Sequence, residues 1–131
     1  MKSLSTLTAR DSVWLRRLLL IASGAVTGCC VAFDGIGLLQ WISMVPAIYI
    51  FLLLANDGSA PYRVLYGSGF LYFYSYSLVI FHWFWRMYPL EFTGLTPPAA
   101  LSVVLVAWLG LSLLQTLFGA LLPLAFAYLV R

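Results

Sequence analysis

Four long apolar stretches, parted by short polar breaks, take up nearly the whole chain. The first runs from Trp14 to Phe33 and stops at Asp34-Gly35-Ile36-Gly37. The second, Leu38 to Ala55, ends in the turn cluster Asn56-Asp57-Gly58-Ser59-Ala60-Pro61. The third extends from Tyr62 to Tyr88 and stops at Pro89, and the loop PLEFTGLTPP leads into the fourth, which ends at Val130. A span of the hydrocarbon core takes about 20 apolar residues. The pattern therefore predicts four transmembrane helices, over 14–33, 38–55, 62–88 and 98–130, joined outside by a loop over 89–97. Strands are disfavoured, because an open sheet edge in lipid leaves backbone groups unpaired. The fold class expected is an all-α integral membrane protein, a bundle of four transmembrane helices. The last stretch is too long for a simple span, so it tilts and projects or kinks near Gly119 and Pro123. Residues 1–13, MKSLSTLTARDSV, are polar and predict a disordered or interfacial tail.

Composition sharpens the class. Of 131 residues, 63% are hydrophobic and only 8% charged, where a soluble domain carries roughly 25%. The mean hydropathy is +1.00. So few charges cannot cover a water-facing surface. The net charge of +3 is no nucleic-acid signal: the basic residues form no patch, and the aromatics lie inside apolar runs rather than among lysines. Basic residues do set the orientation. With the N-terminus inside, the inner side holds Lys2, Arg10, Arg16, Arg17, Arg63 and Arg131, and the outer side only Arg86. The positive-inside rule then puts both termini in the cytoplasm, with the 1–13 tail cytoplasmic and the 34–37 turn and 89–97 loop outside.

Candidate chemistry is sparse. The adjacent Cys29 and Cys30 point about 100° apart on a helix, a poor geometry for a disulfide. One histidine and no CxxC pair make no metal-ligand set, and no cofactor motif is present. The stretch RRLLLIASGAVTGCC resembles a lipoprotein signal ending before Cys29, but the chain continues into three more apolar runs instead of a polar linker. The alternative is a first span in which Gly24 and Gly28, at GxxxG spacing, allow close helix packing. A Cys–His nucleophile from Cys29 or Cys30 with His82 is conceivable at similar depth, against the usual inert role of buried cysteine. No Ser-His-Asp set, paired carboxylates or phosphate loop occurs.

The richest segment is IFHWFWRMYPLEFTGL, residues 80–95. His82 follows Arg63 by 19 residues, roughly 29 Å of helix, so the two lie at opposite membrane faces. His82, Trp83, Trp85, Arg86 and Glu91 are then either a membrane-exit aromatic belt with an anchoring arginine, or the mouth of a lipid site. His82 and Arg86, four apart, are expected on one face, and Arg86 can pair with a lipid phosphate or Glu91. Upstream, Tyr66, Tyr72, Tyr74, Ser75, Tyr76 and Ser77 bring hydroxyls to bilayer depth, so this helix is expected to face other helices or a wet cavity. Gly67 and Gly69 permit close approach near its inner end. Gln115 is expected to bond across to a neighbouring helix.

The order of these features resembles the N-terminal membrane region of bacterial apolipoprotein N-acyltransferases, in the form met in Firmicutes. The resemblance is carried by Trp41 and Val45-Pro46 after a glycine-bearing turn, by Gly67 and Gly69, by Trp83 to Trp85, and by Phe92-Thr93-Gly94; it covers about residues 17–130. It implies a protein of the bacterial cytoplasmic (inner) membrane. It also implies membrane phospholipid and diacylglyceryl lipoprotein as partners, and a nitrilase-like catalytic domain with a Glu-Lys-Cys triad, missing here or on a separate chain. No segment matches that triad, so no catalytic residue is expected on this chain. It would be the scaffold that shapes a lipid-access pocket, as a fragment or as half of a split enzyme. The alternative is a stand-alone multi-pass scaffold using Gly24, Gly28 and the tyrosine-rich helix as interaction faces. A transporter is disfavoured, since no ionisable residue falls at mid-membrane.

Overall fold

The computed structural model describes residues 2–33 and 35–130, with side chains from Ser12 onward. The charges assigned above to Lys2, Arg10 and Arg131, and the turn residue Asp34, lie outside the described residues. The described chain is helical: α1 (Lys2–Ala32), α2 (Leu39–Asn56), α3 (Tyr62–Ile80), α4 (Pro97–Gly119) and α5 (Leu121–Val130), with 3₁₀ segments over Phe81–Met87 and Glu91–Thr93. Four stretches are long and apolar enough to cross a membrane: Ser12–Ala32, Leu39–Asn56, Tyr62–Met87 and Pro97–Val130.

Two boundaries differ from the expectation, and the break expected near Gly119 and Pro123 is present. α1 starts at Lys2, so the polar stretch expected as a tail is helical. Without glycine or proline before Trp14, a helix nucleated in the apolar span propagates backward through it. The third helix changes pitch after Ile80. There the His82 Nδ1–H donates to the Val79 carbonyl at 2.7 Å, occupying the acceptor that the Trp83 N–H would use in a continuing α-helix. The fourth stretch breaks at Ala120, between α4 and α5. Pro123 has no N–H to give the Gly119 carbonyl four residues back.

Glycines bring α3 against its neighbours on two sides. A Cβ on Gly24 would collide with the Tyr72 carbonyl and Ser75 Oγ, and one on Gly28 would meet Val79 Cβ at 2.8 Å and the Tyr76 carbonyl at 2.9 Å. Both partners advance by four residues, so α1 and α3 run parallel in register. Across α3, a Cβ on Gly69 would meet Pro123 Cγ at 2.7 Å, and one on Gly119 the Phe73 ring at 2.7 Å. That order is antiparallel. Gly67 has open space where a Cβ would go, so it brings no helix closer, unlike Gly69.

The distribution of side chains is inverted relative to a water-soluble domain. Ser23, Thr27, Ser68, Ser77, Ser112 and Thr116 are buried, while Trp41 and Ile42 on α2 are each 68% exposed and Val106 on α4 is 71% exposed. A soluble monomer rarely leaves so extended an apolar surface uncovered. Hydrocarbon is the solvent that suits it.

Candidate functional site

Inside the bundle the hydroxyls tie three helices together. Tyr72 Oη on α3 donates to Thr27 Oγ1 on α1 at 3.4 Å. Thr27 Oγ1 is 2.8 Å from Ser43 Oγ on α2 and 2.7 Å from the Ser23 carbonyl. Ser43 Oγ reaches the Gln40 carbonyl at 2.9 Å, and Ser23 Oγ donates to the Ser43 carbonyl. Thr27 Oγ1–H donates to the Ser23 carbonyl, which leaves the Ser43 hydroxyl proton to serve Thr27 Oγ1 or the Gln40 carbonyl. Buried away from solvent, these hydroxyls are satisfied by one another and by backbone carbonyls.

On the other side of Tyr72 its ring faces a cleft of about 310 Å³ between α2, α3 and α5. Met44, Ala47, Ile48, Phe51 and Leu52 form one wall, Tyr72 and Phe73 the base, and Leu122, Pro123 and Phe126 the other wall. The lining is apolar, and Phe51 and Phe73 meet the Tyr72 ring edge-on, with centroids 6.0 and 5.1 Å away. The volume lies at the lower end of small-ligand sites, roughly 300–1,000 Å³. Pro123, just past the break between α4 and α5, is part of its wall. Such a space admits a hydrocarbon chain, and offers no group to react with one.

The residues singled out in the 80–95 segment gather at and beyond the C-terminal end of α3, and none of them lines this cleft. The His82 ring packs on Phe33, centroids 5.7 Å apart. Trp83 stacks on Phe84 at 4.3 Å, and Trp85 lies edge-on to Trp108 at 5.6 Å. Trp108 Nε1–H donates to the Leu78 carbonyl at 3.0 Å, pinning α4 to α3. Leu90, at φ +58°, buries its side chain against Ala100 and Val104. Arg86 and Glu91 are exposed, and no ion pair joins them among the described residues. The expectation that His82 and Arg86 share a face is corrected by the change of pitch. At three residues per turn, positions four apart diverge, and Trp83 shares the Arg86 edge instead.

Other expectations also change. Gln115 is exposed, with no cross-helix bond among the described residues; it sits on the face that α4 turns outward. Ser75 bonds back to the Leu71 and Tyr72 carbonyls, at 3.0 and 2.9 Å, and Tyr66 Oη reaches the Leu117 carbonyl at 3.5 Å. Ser77 Oγ is buried with no hydrogen-bond partner among the described residues. Neither Cys29 nor Cys30 is hydrogen-bonded to His82 among the described residues, and Cys30 is buried. Gly24 and Gly28 are consumed inside the chain's own bundle. They are therefore not the free interaction faces of a scaffold. The apolar cleft was missed in the sequence because its walls are ordinary span residues; only Pro123, placed mid-run, signalled a gap.

The helices and their inverted polarity have the form of a multi-pass membrane protein. The chain matches no family model, no curated protein and no solved structure among those it was compared with.

Proposed function

We propose that this chain is a lipid-accommodating scaffold of the bacterial cytoplasmic membrane, of the kind that supports an apolipoprotein N-acyltransferase. It takes a phospholipid acyl chain from the side and supplies no catalytic group. The 310 Å³ apolar cleft between α2, α3 and α5 is the observation that carries this reading. An acyl chain is the one ligand abundant in hydrocarbon that an apolar cleft of this size suits, and the cleft's mouth lies among residues that face lipid. The resemblance to the acyltransferase membrane region adds the chemistry. The scaffold lies beneath a nitrilase-like domain that moves the acyl group to a diacylglyceryl lipoprotein. Both termini are cytoplasmic, since Arg16, Arg17 and Arg63 share one end of the bundle and Arg86 stands at the other.

The test is photo-crosslinking. The full chain is reconstituted with a phosphatidylethanolamine carrying a diazirine at mid-acyl chain, and adducts are mapped by peptide mass. Adducts concentrated on Met44, Phe51 and Phe126 support the reading. An even spread over the outward faces of α2 and α4 overturns it. In the same vesicles a diacylglyceryl-cysteine peptide should gain no acyl mass; a gain would show that this chain carries chemistry of its own.

A further inference from the structure

A second cleft differs from the first in charge. It lies between α1 and α3, measures about 660 Å³, and is lined by Arg16, Arg17 and Arg63 together with Gly67, Ser68 and Leu71. The parallel register brings these residues together. Tyr72 stands beside Gly24, so two turns earlier Val64 comes level with Arg16, and Arg63 faces the Arg16–Arg17 pair. Arg16 is half-buried, and Arg17 and Arg63 are exposed. The Arg17 guanidinium lies over the Trp14 ring, 5.7 Å from its centroid, which restrains it. None of the three arginines forms an ion pair among the described residues. Gly67 leaves the space open, since a Cβ there would touch nothing.

Three guanidiniums line one cleft with no carboxylate among its described lining residues, and together they make a concentrated positive field. Their planar donor forks match phosphate oxygens. Below them, Val64 and Leu71 add an apolar lower part to the same cleft. A soluble phosphate compound would leave that lower part empty, whereas a lipid would fill both. We infer that the α1–α3 cleft binds the phosphate of an anionic phospholipid, with the headgroup on Arg16, Arg17 and Arg63 and the first acyl carbons along Leu71. The inference rests on the chain spanning a membrane. It does not depend on the acyltransferase reading or on the α2–α3–α5 cleft.

Native mass spectrometry of the full chain in detergent, titrated with phosphatidylglycerol or phosphatidylcholine of the same acyl composition, tests it. The wild type should retain phosphatidylglycerol in clear preference. At about 1 kcal/mol per arginine, each of Arg16→Gln, Arg17→Gln and Arg63→Gln should weaken retention about fivefold, and the triple variant should abolish the preference. Gly67→Leu fills the space and leaves the charge alone, so it should lower retention too. Arg86→Gln, at the far end, should not. An undiminished preference in the triple variant, an equal loss in Arg86→Gln, or no effect of Gly67→Leu would each overturn the site, the last by showing diffuse attraction in its place. Displacement of the lipid by glycerol phosphate at matched concentration would overturn the lipid as ligand in favour of a soluble phosphate compound.

Discussion

Gly69 of α3 receives the ring of Pro123 from α5, and one turn further along, Phe73 of α3 lies on Gly119 at the end of α4. Each side thus offers one ring and one glycine to the other. The proline that breaks the fourth span also locks the break onto α3. Filling the Gly69 recess should therefore cost stability. Gly69→Leu meets Pro123 and the Ala120 backbone, and should lower stability by about 1–3 kcal/mol. Gly119→Leu meets first the Phe73 ring, which can move, and should cost less. Thermal unfolding followed by circular dichroism in detergent gives the comparison. An unchanged melting temperature for Gly69→Leu would remove the interlock as a source of stability.

The parallel α1–α3 contact should be less forgiving still. At Gly24 the obstacle is the Tyr72 carbonyl, which is backbone. Gly24→Leu should destabilise more than Gly119→Leu, whereas Gly67→Ala should be neutral or stabilise by up to about 1 kcal/mol, because its space is open and alanine favours helix. The order of the three melting temperatures checks this directly. A Gly24→Leu protein as stable as Gly67→Ala would contradict the register.

The hydroxyl cluster around Thr27 predicts a measurable coupling with Tyr72. Tyr72→Phe and Thr27→Val each remove one link. Hydrogen bonds between helices in lipid contribute about 0.6 kcal/mol on average and up to about 1.7. A double-mutant cycle on these two, read by denaturation from micelles, should give a coupling in that range. Strict additivity would mean that the 3.4 Å contact contributes nothing.

Much of this architecture could be read from the sequence, for a simple reason. Twenty apolar residues in a row have few alternatives to a span, and the turn clusters at 34–37 and 56–61 mark where spans end. The break in the fourth stretch was foreshadowed because proline removes a known donor. The pairing of helices was not legible. Gly67 and Gly69 look alike in sequence, yet one faces a cleft and the other a proline ring. His82 looked like a site residue, but its ring nitrogen is spent on the Val79 carbonyl, which tightens the helix that carries it. Arg16, Arg17 and Arg63 served as orientation signals only. Their convergence depends on a register set by Gly24 and Gly28, and no single segment shows that.

Orientation can be read chemically. In a Cys29→Ala/Cys30→Ala background, Thr93→Cys should react with a membrane-impermeant maleimide in intact cells. Ser59→Cys should react only after permeabilisation. Both positions are exposed, so silence at either reports the side of the membrane and not burial. Labelling at Ser59→Cys with none at Thr93→Cys would invert the bundle, placing the three-arginine cleft on the outer face.

The apolar cleft predicts a different kind of competition. Ile48 and Leu122 line its two walls and are 46% and 62% exposed, so larger side chains there enter free space instead of a packed core. Ile48→Trp and Leu122→Trp should hold their melting temperature and lose most of the mid-chain diazirine adducts on Phe51 and Phe126. Val106→Trp, on the outward face of α4, adds the same volume where no cleft exists and should leave the adduct pattern unchanged. If all three variants reduce labelling alike, the acyl chain is passing lipid and the cleft holds nothing. If only the two cleft variants do, the space beside Tyr72 is a site.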